Sequence, residues 1–274
     1  MAKYGMVIDC TRCTGCYNCF LTCRDEFAGN EYPGYAAAQP MAGQNWIHVI
    51  EKERGKYPKV KVAYTPITCM HCEDATCMKV ARDKAVYRRP DGIVIIDPEK
   101  AKGQKQIVSG CPYRVIEWNE EKQVPQKCIL CAHMLDKGEK EPRCVESCPT
   151  GALVFGDMND PKSEISRLLA AGKTEILHPE YGLKEKVSYI GLPRKFVAGT
   201  VIYKDKDECA SGVEVTLSHK GKVQKTRTNG FGDFEFEGLP ADTDYTVSIE
   251  AKGYKPRKLK ALTRVDVCLG EIKL

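Results

Sequence analysis

Twelve of the chain's fifteen cysteines fall into four tight segments. The first is Cys13-Thr-Gly-Cys16-Tyr-Asn-Cys19-Phe-Leu-Thr-Cys23. The second is Cys69-Met-His-Cys72-Glu-Asp-Ala-Thr-Cys77, and the third is a lone Cys111 followed by Pro112. The fourth is Cys128-Ile-Leu-Cys131, then Cys144-Val-Glu-Ser-Cys148 followed by Pro149. Gaps this short let one loop turn several thiolates toward one soft metal centre. A secreted disulfide framework fits poorly, because the count is odd, the chain is 274 residues long and its N-terminus has no apolar leader.

The first segment has the spacing C-x2-C-x2-C-x3-C of bacterial ferredoxins, in which three cysteines hold one [4Fe–4S] cube and the fourth reaches across to a second cube. Pairing it with the fourth segment assigns Cys13, Cys16, Cys19 and Cys148 to one cluster, and Cys128, Cys131, Cys144 and Cys23 to another. The long gap between Cys131 and Cys144 reads as an insertion in the loop that supplies the third ligand. The fourth position is expected to open a helix with proline behind it, as Cys111-Pro112 and Cys148-Pro149 do and Cys23-Arg24 does not. Cys10 cannot start the run, since its fourth ligand would fall on Phe20.

The inner pair is half empty. Cys69, Cys72, Cys77 and Cys111 make a third set, whereas the same spacing counted back from Cys111 lands on Ala101, Gln104 and Ile107, and their cross-partner would be Ala81. All four ligands of one cluster are missing together, which a shared lattice explains and random loss does not. Three clusters use twelve cysteines and leave Cys10, Cys209 and Cys268 as spare thiols.

Plainer readings stand beside this one. Cys128, Cys131, Cys144 and Cys148 alone would suit a four-thiolate zinc site in a zinc-stabilised scaffold. His71 and His133 are expected to pack or to donate hydrogen bonds near the clusters, because each cube already has four thiolates. Trp46, Trp118 and the nearby tyrosines read as core. The basic run Lys52, Arg54, Lys56, Lys59, Lys61 reads as a solvated hairpin or as an edge for a partner. No glycine-rich nucleotide loop, nucleophile elbow or acid–base pair stands out, so no active site is expected on this chain.

The elements that must position these cysteines form an α+β chain. Residues 1–160 read as a double ferredoxin-like domain, with an inner module, 67–120, inserted in an outer one. Residues 161–195 read as a helix and connector, the helix capped by Asp160, begun by Pro161 and stopped by Gly172. Its Ile165, Leu168 and Leu169 form an apolar stripe. Residues 196–274 alternate apolar and polar residues with period two between Gly, Pro, Asp and Asn turns, and read as a small all-β sandwich. Within it, Thr228-Asn-Gly-Phe-Gly-Asp-Phe-Glu-Phe, Tyr245 and Gly253-Tyr254 resemble the transthyretin-like and carboxypeptidase-regulatory-like domains.

Composition agrees with a globular chain, at 42% hydrophobic and 29% charged residues, with no apolar run near the ~18 residues that span a bilayer. The N-terminus carries no h-region and no twin arginine, so no export signal of its own is expected. The net charge of +5 would favour an acidic partner. Three cubes at about −2 each bring it to roughly −1, so no nucleic-acid partner is inferred.

On this cysteine lattice, residues 1–160 resemble the four-cluster iron–sulfur subunits of the dimethyl sulfoxide reductase family, matching all but the four positions of one cluster. Three clusters and a transthyretin-like tail are similar to the transhydroxylase branch of that family. The resemblance implies a large catalytic partner carrying molybdenum on molybdopterin guanine dinucleotide, hydroxyl transfer between polyhydroxybenzenes, and a cytoplasmic complex. The alternative within the family is the electron-transfer subunit of a respiratory molybdenum reductase.

Overall fold

The computed structural model describes residues 1–274 throughout. Its organising element is the strand Tyr4–Asp9, whose Met6, Val7 and Ile8 are all buried. It lies at the centre of a three-stranded sheet, antiparallel to Leu153–Asp157 on one side and parallel to Val187–Ile190 on the other. Asp9 N–H donates to the Ala152 carbonyl at 2.7 Å, and Cys10 N–H to the Ile190 carbonyl at 2.9 Å. These bonds bring the first cysteine loop beside the segment that follows Cys148. The helix Asn18–Phe27 then carries Cys19, Cys23 and Phe27 on one buried face, as a spacing of four residues requires.

The segment between Cys72 and Cys128 is built from two short hairpins, Val86–Arg88 with Val94–Ile96 and Glu117–Asn119 with Val124–Gln126, and the short helices Thr76–Val80 and Gln106–Ser109. Its own apolar core contains Val86, Val94, Ile96, Ile107 and Ile116.

The segment after residue 160 departs from its expected form. The helix runs Glu164–Ala170, and its cap is Ser163, whose hydroxyl accepts the Ser166 N–H at 3.1 Å. Asp160 instead closes the turn ahead of it, accepting Lys162 N–H on its carboxylate at 2.9 Å and Ser163 N–H on its carbonyl at 3.0 Å. A cap of this kind is worth about 1 kcal/mol. Ile165 packs on Val7 and Val154, with Leu168 and Leu169 at the edge of the same cluster. The strand Val187–Ile190 lies within what reads as an irregular connector.

Contacts divide the chain into two units, Met1–Glu51 with Tyr64–Leu192, and Lys52–Ala63 with Pro193–Leu274. The second unit holds two sheets. Lys195–Tyr203 pairs with Glu208–Cys209, Asp233–Leu239 and Val267–Lys273, while the other sheet has the order Lys222–Arg227, Glu214–His219, Asp244–Glu250, Arg257–Leu262. Val201, Val215, Leu217, Phe234, Val247 and Ile249 fill the core. Period-two reading misses Arg257–Leu262, an edge strand whose Arg-Lys-Leu-Lys charges suit an unpaired edge.

The basic run is the tip of a hairpin, Ile47–Lys56 with Lys59–Thr68, and it belongs to this second unit. Lys52 and Lys56 are exposed, whereas Arg54, Lys59 and Lys61 are paired. The Arg54 guanidinium clasps Asp266 with two bonds of 2.7 and 3.0 Å, both side chains nearly buried. Burial alone would raise the Asp266 carboxyl, but the Arg54 bonds and charge hold it below the usual range. Lys59 meets Glu235 at 3.1 Å, Lys61 meets Glu235 and Glu237, and Arg54 and Lys61 both lie over the Phe196 ring. No helix is long and apolar enough to cross a membrane.

Candidate metal centres

Four loops share one backbone feature. The residue before the second ligand position has a left-handed φ in each: Gly15 at 68°, His71 at 45°, Gly103 at 76° and Leu130 at 49°. This turn points the residue's own N–H back at the first sulfur. His71 N–H reaches Cys69 Sγ at 3.5 Å, and Leu130 N–H reaches Cys128 Sγ at 3.3 Å. Gly15 is fixed twice over, since a Cβ there would also lie 2.3 Å from the Tyr64 ring. The third of these loops has no cysteine, yet keeps the turn.

The thiols gather into three sets. Burial pushes Cys19 up to about 11, and Cys13, Cys148 and Cys16 add to it through their charges. Burial likewise drives Cys23 and Cys144 well above the ordinary thiol range, and both feel Cys128 and Cys131. Cys77 is pushed up to about 11 by burial and then by Cys69, with Cys111 also contributing. Cys69, Cys72, Cys77 and Cys111 line one cavity together with the apolar Val94, Ile116 and Leu183. Cys148 belongs with Cys13, whereas Cys144 has Cys131, Cys128 and Cys23 as neighbours, so the sequence-local foursome of a zinc site is split between two places. No three His, Cys, Asp or Glu side chains are gathered as they would be around a single metal ion.

The Cys-Pro steps act differently from expectation. Cys111 and Cys148 do not open helices; each follows a short one, Gln106–Ser109 or Arg143–Glu146. The chain folds back after the proline and aims N–H groups at the sulfur. Ala152 N–H reaches Cys148 Sγ at 3.3 Å. Burial would raise that thiol, but the Thr150 hydroxyl and the N–H groups of 150, 152 and 153 bring it below its ordinary value. Cys111 is raised by burial, with the N–H groups of Val115, Tyr113 and Arg114 pulling the other way. Such donors suit sulfur that carries negative charge.

One buried cation carries the same implication, and sequence reading missed it. Lys127 is 2% exposed, has no carboxylate partner, and donates to the carbonyls of Cys128, at 3.1 Å, and Val94. Its charge lowers the thiols of Cys77 and Cys128, one from each of two sets. An ammonium buried without a counter-ion is costly. Anionic thiolate clusters on either side would supply that counter-charge, so the donor sets fit [4Fe–4S] cores chemically.

The sets also lie in a row. Cys23 and Cys144 feel Cys19 of the first set, and Cys128 feels Cys69 of the third. Beyond the third, Cys77 shares its core with Ala101 and Ile107, both fully buried, and with Ala81 at the rim. Gln104 ties the emptied loops together. Its Oε1 accepts Arg82 N–H at 2.8 Å, and its Nε2 donates to the Lys100 carbonyl at 2.7 Å. Apolar packing and one amide fill the space around Ala81, Ala101 and Ile107.

Of the remaining thiols, Cys10 lies near the first set, and Cys209 and Cys268 belong to the second unit. Burial, then the Cys13 charge, pushes Cys10 up to about 12, while a Thr65 contact opposes them. Cys209 is exposed, Cys268 is buried in the sandwich, and neither forms a disulfide. His133 packs among Phe27, Tyr32 and Tyr35 and pairs with Glu26 at 2.9 Å.

A 4Fe-4S dicluster domain matches residues 60–158, and a carboxypeptidase regulatory-like domain matches 197–267. The small subunit of pyrogallol hydroxytransferase from Pelobacter acidigallici is 41% identical over the full length of both chains. A putative iron–sulfur subunit of dimethyl sulfoxide reductase from Halobacterium salinarum is 36% identical over 69% of this chain and 79% of its own. A tetrathionate reductase subunit from Salmonella typhimurium is 34% identical over 71% of this chain and 75% of its own. With its cysteine loops and a full-length relative at this identity, the chain belongs to the iron–sulfur electron-transfer subunits of the dimethyl sulfoxide reductase family.

Proposed function

We propose that this chain holds three [4Fe–4S] clusters for a molybdenum-pterin catalytic subunit in a cytoplasmic complex that transfers hydroxyl groups between polyhydroxybenzenes. The observation that carries the reading is the full-length match to a pyrogallol hydroxytransferase small subunit, sandwich included, where the two reductase subunits cover about 70% of the chain. Cys13, Cys16, Cys19 and Cys148 would hold the first cluster, Cys23, Cys128, Cys131 and Cys144 the second, and Cys69, Cys72, Cys77 and Cys111 the third. When bound, the clusters supply one-electron storage and transfer.

The chain's own residues do the rest. The left-handed turns at Gly15, His71 and Leu130 aim N–H groups at sulfur, which favours the more negative, reduced state. Lys127 adds a fixed positive charge between the second and third sets. The packed fourth position ends the series beyond the third set, so the row is closed at that end. Hydroxyl exchange between two aromatic rings has no net electron balance. A closed row then suits priming or buffering the catalytic metal better than through-flow.

The 34–36% identity to reductase subunits supports the second reading, an electron wire for a respiratory reductase. Co-purification with metal analysis tests the class: molybdenum in a large companion chain and about twelve irons per small chain are expected. Steady turnover separates the two readings. A transhydroxylase needs electrons only for activation, and a reductase stops when its donor is withdrawn.

The second unit is expected to be dispensable for cluster binding if its border is respected. Removal of 193–274 with 52–63 replaced by a short turn should leave iron content and visible absorption unchanged. Deleting only 197–274 leaves Arg54 and Lys61 without their acids and is expected to lower solubility. Loss of iron in the first variant would show that the clusters depend on the sandwich.

A further inference from the structure

His71 is the one side chain in the four loops that combines a left-handed backbone, complete burial and a polar group without a partner. It is 1% exposed and lines the cavity shared by Cys69, Cys72, Cys77 and Cys111. Glycine takes the same position without strain in two of the other loops, as Gly15 and Gly103. In the remaining loop the position is Leu130, buried and apolar. An imidazole held in this conformation is a strained choice that plain packing does not require.

The ring's hydrogen bonds decide its chemistry. Nδ1 accepts the Val94 N–H at 3.0 Å. That bond uses the Nδ1 lone pair, so the ring proton is on Nε2. Nε2 is buried and finds no acceptor among the protein's atoms. A buried N–H left unsatisfied is destabilising and rare. His71 shares the lining of this cavity with four thiols.

We propose that His71 donates its Nε2–H to the cluster held by Cys69, Cys72, Cys77 and Cys111, and thereby raises that cluster's reduction potential. The inference rests on the three-cluster reading above. A donor to sulfur stabilises the reduced state more than the oxidised one, because the reduced cluster carries more negative charge. On the neighbouring set, Cys128 meets the Leu130 N–H and the Thr68 hydroxyl, but no imidazole. The Val94 bond is a positioning contact that fixes which nitrogen carries the proton.

The test uses the intact complex, wild type and His71→Leu, with iron analysis, a redox titration followed by electron paramagnetic resonance, and hyperfine spectroscopy on protein labelled with ¹⁵N-histidine. His71→Leu should keep about twelve irons. One cluster should become harder to reduce by about tenfold in equilibrium constant, about 59 mV for one electron. The other two midpoints should stay. In the wild type, one reduced cluster should show a weak histidine ¹⁵N coupling and an exchangeable proton, both absent from the variant.

Unchanged midpoints with full iron, or no histidine coupling in the wild type, overturn the proposal; a trapped water that satisfies Nε2–H would give this result. If His71→Leu sheds iron, the labelled wild type decides by itself. An iron count far from twelve in the wild type refutes the three-cluster reading instead, which keeps the two failures apart.

Discussion

Cys111→Ala is expected to lower the iron content from about twelve to about eight per chain, while Cys10→Ala leaves it unchanged. Cys111 is the only thiol that the third segment supplies, and Cys69, Cys72 and Cys77 cannot close a four-thiolate set without it. The spare thiol Cys10 lies near Cys13 of the first set and cannot substitute. The loss should extend beyond metal. Cys72, Cys77 and Cys111 are packed into the same small core as Val86, Ile96, Ile107 and Ile116. Ligand binding contributes folding energy in such modules. The variant should therefore become protease-sensitive within 67–120 before the outer module does. Iron analysis with limited proteolysis reads both effects. Equal iron in the two variants would show that the register of the inner loops is misassigned.

The same contrast explains what could be read from sequence. The three proposed cysteine sets follow from the sequence because a loop of two or three residues has few ways to arrange its sulfurs, and cross-ligation would set which distant cysteine completes each set. The proposed emptied position follows in the same way, as Ala81, Ala101, Gln104 and Ile107 stand where that spacing would put ligands. What fills it does not, since nothing in the order of residues says that Gln104 will tie Arg82 to Lys100. The strand Tyr4–Asp9 also escaped notice. Its partners lie about 150 and 180 residues further on, and Val187–Ile190 hides in a segment whose Pro and Gly suggest irregularity. The helix cap moved from Asp160 to Ser163 because an aspartate before proline closes a turn equally well. The basic hairpin tip shows the same limit. Its charge was visible, but the acids that neutralise it, Asp266, Glu235 and Glu237, come from strands about 200 residues later.

Lys127→Met is expected to act with opposite signs on the loaded and the empty protein. Lys127 reads as an ordinary surface residue in the sequence, yet it is buried between two thiol sets and its ammonium meets only two carbonyls. In the empty protein, methionine of similar volume removes a buried charge that lacks a counter-ion. Replacing such a charge by an apolar side chain is neutral or stabilising, even with two carbonyls left behind. In the loaded protein the same change removes the one fixed cation between two anionic clusters. A charge at this depth, with an effective dielectric constant near 20, is worth about 1–2 kcal/mol to each neighbour. That corresponds to roughly 40–90 mV for a one-electron couple. The clusters on the Cys128 and Cys69 sets should both become harder to reduce, and the one on the Cys13 set, which has no comparable link to Lys127, should hold its midpoint. Because the site is buried, added salt should change these shifts little. Redox titration of the complex and thermal unfolding of the empty chain, on the same variant, measure the two signs. A uniform shift of all three midpoints would mean that the cation acts through the overall field. Marked destabilisation of the empty chain would mean that Lys127 is there for its two hydrogen bonds, and the electrostatic case for anionic groups in these cavities would lose its strongest support.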